Sequence, residues 1–478
     1  MTSPTPSVRP VSNIRLDDGS LTWDKDAAAQ QLRIDQLLFV LPPTLLSSSK
    51  GEYIICALRE DADNKEQPFR LVLLSTAQLP DFLHPHLLSA IPSYLRHSDN
   101  RVHAVVSTNS GLRQALPFWE SVLQPLWSLV SGEPAPDAPS YHLLVTESAQ
   151  DVPRLAQQLW VDETGAATKT TPSRTVVLLT GDGGVVDLLN GSKDFPADAS
   201  PIRLAILPMG TGNALFHSMH IPLYSSSSAS PLVLGLRTLF SGTPAPLPIF
   251  RADFSPGSSI VSFTEKTAAA AAGDGGGAQP ELTKQEKHVS HLHGAIVASY
   301  GFHSSLVYES DTPEYRVHGD KRFRMVAEDL LRDPHAYAAR ISFTPPGAQE
   351  PVPIPGDKHG YMLVAGVSNM ERTFTISPDS KPLDGKLRLV HFGPMDDGKQ
   401  IMDIMMAAYA DGKHVHMDSV TYKEVQEVKV EMAEQDARWR NVCIDGTIVE
   451  VPQSGHMTVK TVPSGPWQIV VDSSLTTA

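Results

Sequence analysis

Two glycine-bearing turns, each set between an apolar run and a helical one, constrain this chain more than any other feature. Residues 176–179 run into Thr180, Gly181, Asp182, Gly183 and Gly184, and a helical start follows over 185–190. Residues 202–207 run into Gly210, Thr211, Gly212 and Asn213, and a second helix starts over 214–220. The alternation begins upstream. Residues 102–107 read as a buried strand, and 114–130 place Leu116, Trp119, Val122, Leu123, Leu126, Trp127 and Val130 at helical spacing. Residues 141–145 then read as a strand and 151–160 as a helix. Repeated strand–helix units predict a parallel sheet covered by helices, with ligands bound at the loops after the strand C-termini.

Glycine in such a loop lets the backbone approach a ligand closely and adopt positive φ. The helix that follows offers N–H groups and the positive end of its dipole, which together suit a polyphosphate. Asp182 lies inside the first turn, where a carboxylate repels phosphate unless it has a task. Coordinating Mg²⁺ and accepting a proton from an attacking hydroxyl are the two candidates, and an Asx turn is the plain structural alternative. A single glycine turn after a strand is common. Two of them, one strand–helix unit apart, are more specific. The chain holds no GxxxxGK[ST], no GxGxxG and no protein-kinase signature.

The 478 residues, 41% hydrophobic, have room for two or three domains. A formal net charge of −14 excludes binding of nucleic acid through the overall field, and bulk attraction to anionic membranes. Cys56 and Cys443 are the two cysteines, so no disulfide framework is expected. The N-terminus has no apolar stretch typical of a secretory signal, and Pro42 and Pro43 break the run 37–46, so a soluble cytoplasmic protein is expected.

Three regions follow from the pattern. Residues 1–98 read as a β-rich extension and linker, with strands over 37–41, 53–58 and 69–74 and a Pro-broken stretch over 79–95. Residues 99–244 read as an α/β nucleotide-binding domain. Residues 245–478 read as a β-sandwich-like domain whose last strand is 467–471, with helices over 322–331 and 399–409. Within it, the Ala/Gly-rich stretch 265–290 reads as a disordered insertion; 225–230, in the preceding region, reads as a second loop of that kind.

Several motifs then match one family in order. They are Ser107, Ser110 and Gly111 in VSTNSG, Thr146 in TESA, the turn 180–184 with Asp187, Asn190 and Gly191, and PMGTGN over 208–213. YGFHSSLVYES, Tyr315-Arg316, the run 319–323, Asp384-Gly385 and Ile444-Asp445-Gly446 continue the series. The chain resembles the diacylglycerol kinase/sphingosine kinase superfamily, and within it the eukaryotic sphingoid long-chain base kinases. The resemblance implies an ATP-binding α/β domain (NAD-kinase/diacylglycerol-kinase-like) followed by a β-sandwich, with ATP and Mg²⁺ as cofactors. It assigns Asp182 as the base, reaching Mg²⁺ through ATP. It assigns Ser107, Ser110, Gly111, Thr146, Gly181, Gly183, Gly210, Thr211, Gly212, Asn213, Arg316, Arg322, Asp445 and Gly446 to ATP, and Ser305 and Glu309 to the lipid. The implied partner is a lipid reached by transient membrane contact from the cytoplasm.

The chain departs from the family pattern at Thr180 and Gly184, which stand where glycine and threonine are usual. Ser107 replaces Asn, Asp187 replaces Glu and Thr447 replaces Glu. Ser305 stands where sphingosine-type members carry an Asp, which removes the counter-charge of a sphingoid amine and leaves diacylglycerol and ceramide in play. A nucleotide- or lipid-binding pseudokinase is the alternative, and a kinase of soluble substrates is a weaker one. Arg316 and Arg322 also read as solvated surface residues. Asp384 with Gly385 reads as an ordinary turn. His291 with His293, and His414 with His416, read as exposed strand positions. Met402, Met405 and Met406 read as core fillers.

Overall fold

The computed structural model describes residues 7–24, 31–46, 51–96, 100–131, 141–160, 173–192, 200–265, 282–318 and 321–476. Two compact units emerge: residues 1–247 with 464–478, and residues 248–463.

The first unit is built on a six-stranded sheet in the order Thr243–Pro246, Trp467–Val471, Ile202–Pro208, Ser173–Thr180, Asn100–Val106 and His142–Val145. Thr243–Pro246 runs antiparallel to its neighbour; the other pairings are parallel. Ser173–Thr180 sits between two partners and is buried from Arg174 to Thr180, which explains its unbroken apolar run. The expected helices are present at Asp151–Gln158, Asp182–Asn190 and Ala214–Tyr224. The stretch read as one helix over 114–130 is helical throughout, with a π-helical turn at Trp119–Leu123 between Ala115–Phe118 and Gln124–Ser131.

Two domain expectations need correction. The strands Leu37–Leu41, Tyr53–Glu60 and Phe69–Thr76 form where expected, but they share the core of the α/β unit. Phe39 meets Phe240 at 5.1 Å and Phe69 meets Phe118 edge-on at 5.1 Å. Leu83, Leu88, Tyr94 and Leu95 of the Pro-broken stretch are buried as well. Separating residues 1–98 would expose this apolar area, so they are part of the unit. The second correction concerns Trp467–Val471, expected in the β-rich region. It pairs with Ile202–Pro208 and Thr243–Pro246 instead, and Trp467 is fully buried. Residues 225–230 end in a defined helix cap: Ser230 Oγ accepts the Val233 N–H at 3.2 Å.

The second unit is an antiparallel sandwich of a seven-stranded and an eight-stranded sheet. Alternate residues of both sheets meet in one core, with Phe250, Ala252, Val428, Val430 and Val459 facing Ala298, Tyr300, Met362, Val364 and Leu389. Ser259–Glu265 pairs with Leu282–His288 in a long hairpin, so the later part of the presumed insertion is a strand. Its tip, 266–281, lies outside the described residues. Helices Phe302–Ser310, Pro313–Arg316, Arg322–Arg332 and Gly398–Tyr409 accompany the sheets. Helix Gly398–Tyr409 buries Ile401, Ile404 and Ala408, which turns Met402 and Met406 outward; they are exposed rather than core. His414 is fully buried in a 3₁₀ turn with Nε2 3.1 Å from Ile376 O, not on an exposed strand. No described helix is long and apolar enough to cross a membrane.

Candidate active site

Three loops meet at the C-terminal ends of adjacent parallel strands of the first unit. The first follows Asn100–Val106 and carries Ser107, Ser110 and Gly111. The second follows Ser173–Thr180 and carries Gly181 and Asp182. The third follows Ile202–Pro208 and carries Gly210 to Asn213.

The loops touch backbone to backbone. A Cβ on Gly210 would lie 2.4 Å from Gly181 Cα, and one on Gly111 would lie 2.6 Å from Met209 O. Neither position has room for a side chain. Gly111 also has φ +48°, in the left-handed region. Hydrogen bonds complete the junction. The Gly181 N–H donates to Ser110 Oγ at 3.4 Å, and the Ser110 hydroxyl donates to Ser107 Oγ at 2.7 Å. The Met209 N–H donates to Thr180 O at 3.0 Å. Thr146, at the end of the edge strand, accepts the Thr108 hydroxyl on its carbonyl at 2.7 Å and the Thr108 N–H on its own hydroxyl at 3.3 Å. Thr108, which the sequence did not single out, thus ties Thr146 to the first loop.

Asn213 has φ 52° and ψ 46°, and its amide closes a two-way clasp with Gly210: Gly210 N–H to Oδ1 at 2.8 Å, and Nδ2 to Gly210 O at 2.8 Å. Its side chain therefore does not cap the helix it precedes. Asp182 does so from across the site. Its Oδ2 accepts the Ala214 N–H at 2.7 Å and its Oδ1 the Leu215 N–H at 3.1 Å. Asp182 is half-buried, and loss of water raises its pKa; the two N–H donors partly oppose that rise. Asp187, one turn further on, is pushed up to about 6 by burial.

Both helices were expected to offer free N–H groups. Helix Ala214–Tyr224 offers fewer, because Asp182 occupies its first two. Helix Asp182–Asn190 has Gly181 as N-cap with no side-chain cap, and the N–H groups of Asp182 and Gly183 find no acceptor among the described residues. Gly183 is exposed, with nothing within 4 Å of where its Cβ would stand. The exposed Thr211 and half-buried Gly212 complete the rim. The arrangement presents donors and one carboxylate around a backbone-walled notch, a fit for phosphate oxygens.

The remaining expected residues lie in the second unit, and most are committed there. Arg316 binds Asp311 through two bonds, at 3.0 and 2.9 Å, and donates to Phe263 O at 2.9 Å. Glu309 accepts from Arg438 Nε at 2.6 Å. Ser305 is buried and accepts the Tyr337 hydroxyl at 2.9 Å. Arg322 stands 5.0 Å over the Phe323 ring, and its buried Nε has no partner among the described residues. Asp445 and Gly446, with φ 47° and 89°, form the turn between Asn441–Ile444 and Thr447–Glu450. The Asp445 carboxylate accepts the N–H groups of Ala295 at 2.7 Å, Ile296 at 3.1 Å and Val297 at 2.6 Å. Asp384 pairs with the buried Arg388 at 2.9 Å. Among the described residues no group of three His, Cys, Asp or Glu side chains is built to hold a metal.

A model of the diacylglycerol kinase catalytic domain matches residues 103–240. That stretch of the chain is similar to a diacylglycerol kinase catalytic domain. The matched stretch includes all three loops, so the notch is part of that domain, and the superfamily indicated by the ordered motifs stands. Two solved structures from Bacillus anthracis str. Sterne are similar to this chain. One, provisionally described as a diacylglycerol kinase, is 13% identical with a TM-score of 0.46, covering 78% of this chain and 98% of its own. The other, described as a diacylglycerol kinase, is 12% identical with a TM-score of 0.43, covering 78% and 97%. Neither likeness bears on the notch.

Proposed function

We propose that the chain is an ATP-dependent lipid kinase that transfers the γ-phosphate to a hydroxyl of a sphingoid base or a related lipid such as ceramide or diacylglycerol. The observation that carries the reading is the notch of Gly111, Gly181 and Gly210, which is closed to side chains and open to the N–H groups of Asp182 and Gly183.

In this reading the N–H groups at the start of helix Asp182–Asn190 hold phosphate oxygens, and Thr211 adds a hydroxyl. Phosphoryl transfer asks the protein for position and charge neutralisation more than for covalent chemistry. Mg²⁺, when bound with ATP, would neutralise charge on the phosphates; Asp182 is the carboxylate of these loops that would face it. Each Asp182 oxygen keeps a lone pair beyond the N–H it accepts, so the carboxylate can also take the proton of the attacking hydroxyl. Burial favours that uptake by raising the group's proton affinity.

The motif segment from Tyr300 to Phe323 favours the sphingoid-base branch. Ser305 in place of a carboxylate favours neutral hydroxylated lipids instead. A bilayer substrate calls for membrane contact from the cytoplasmic side despite the acidic charge.

The deciding experiment offers labelled ATP with micelles of sphingosine, ceramide or diacylglycerol. Transfer to one of them identifies the acceptor. ATP-dependent thermal stabilisation with transfer to none would instead establish a nucleotide-binding pseudokinase.

A further inference from the structure

Positions 180 and 184 depart from the superfamily's pattern in opposite senses, one gaining a side chain and the other losing it. The geometry joins the two departures. A Cβ on Gly184 would lie 2.3 Å from Thr180 Oγ1, 2.9 Å from Thr180 Cβ and 3.0 Å from Thr180 Cγ2. The Thr180 side chain therefore fills the volume that a residue at 184 would use, entering it from the strand side of the turn. The two positions cannot both carry side chains without displacement.

The hydroxyl placed there has a defined partner. Thr180 Oγ1 donates to Gly181 O at 2.8 Å, and the Gly184 N–H reaches the same carbonyl at 3.2 Å. Gly181 is the N-cap of the helix, so two donors hold the carbonyl of the peptide whose N–H belongs to Asp182. Thr180 also accepts the Met209 N–H on its own carbonyl, which fixes it to the third loop. Thr180 is buried.

We propose that Thr180 is a positioning residue for the nucleotide's phosphates. Packed into the space left by Gly184, it locks the Gly181–Asp182 peptide and so aims the N–H groups of Asp182 and Gly183. The exchange at 180 and 184 is one compensated change, not two losses. This rests on the reading of the notch as a phosphate site.

The test is a cycle of Thr180→Gly, Gly184→Thr and the double variant, with Thr180→Ser and Thr180→Val as controls, using the full chain. Gly184→Thr alone is expected to lower Tm by more than about 3 °C, and the double variant to recover at least about half of that loss. KM for MgATP is expected to rise about tenfold in Thr180→Gly and Thr180→Val and to stay within about twofold in Thr180→Ser. Thr180→Val fills the space without the hydroxyl, so wild-type KM in that variant overturns the positioning role. A double variant no more stable than Gly184→Thr overturns the compensation. The Tm cycle is read without nucleotide. Coupling in Tm with no ATP response even in the wild type would sink the kinase reading and the phosphate role with it. Lost coupling beside normal ATP turnover would sink this inference alone.

Discussion

Asp182 accepts the backbone N–H of Ala214 at 2.7 Å across 32 residues of chain. The residue marked for proton transfer is thus also the cap of the helix that follows the other glycine loop. On the proposed reading, chemistry and architecture share one carboxylate. Asp182→Asn replaces one acceptor oxygen by an amide that has only hydrogens to offer an N–H. The variant is expected to lose about 0.5–2 kcal/mol of stability, typical of a lost cap, as well as turnover. Denaturant melts and kinase assays on the same preparation separate the two. Unchanged stability would show that the cap is dispensable, and wild-type turnover would remove Asp182 from proton transfer.

Gly210→Ala tests the closeness of the loops. Its methyl group would meet Gly181 Cα at 2.4 Å, and backbone cannot rotate away as a side chain does. A loss of about 1–3 kcal/mol is expected, with most of the ATP-induced rise in Tm gone. Gly183→Ala is the control, because its Cβ would meet open space. It should keep the stability within about 1 kcal/mol.

Asp445→Ala tests the sandwich. Removing the carboxylate strands three buried or half-buried N–H groups at Ala295, Ile296 and Val297. A loss of about 2–4 kcal/mol is expected, read as an earlier urea transition. Asp445→Asn should recover part of it, since one oxygen remains to accept.

A buried histidine pair is expected to contribute to the acid limb of stability. His359 Nε2 donates to Ala339 O at 3.0 Å, so its Nδ1 accepts, and His391 Nε2 is the donor at 2.9 Å. His359 is neutral in this arrangement, and burial favours the neutral form of both rings. Burial, and then the neighbouring His359, push His391 down to about 4. The folded value lies below that of the unfolded chain, so the unfolded state binds more protons between about pH 6.5 and about pH 4. Stability should therefore fall across that window as pH drops, by up to about 3 kcal/mol from this ring. His391→Gln keeps an N–H donor but does not titrate, and its stability should depend less on pH there. An unchanged acid limb would place the sensitivity elsewhere, with His103, His220 and His303 the next rings to replace.

Local patterns carried much of this structure. Unbroken apolar runs marked the central strands because those strands are covered on both faces, and the glycines marked the loops because only hydrogen fits between Gly181 and Gly210. What periodicity could not carry was pairing between distant segments. Trp467–Val471 reads as any apolar strand would, and nothing local says that it joins a sheet whose other members end before residue 247. The same limit hid the partners of Arg316 and Ser305, since Phe263 and Tyr337 come from other elements. The outward turn of Met402 and Met406 was legible in the spacing of Ile401, Ile404 and Ala408, and was obscured by reading methionine as a core residue by type. The cap from Asp182 to Ala214 left no local signal. Asn213 is the residue type that usually caps, and its clasp on Gly210 shows only in three dimensions.

The place of Trp467–Val471 between Ile202–Pro208 and Thr243–Pro246 also sets an order of events at the ribosome. The six-stranded sheet cannot close when the first 247 residues have emerged, because one inner strand is made only after the whole sandwich has been synthesised. Until then Ile202–Pro208 and Thr243–Pro246 present open edges, the kind that invite pairing with other chains. The sandwich can complete itself first. The three glycine-bearing loops are therefore among the last parts of the unit to gain their final support, and a nascent chain released early would hold them without the strand that braces their sheet.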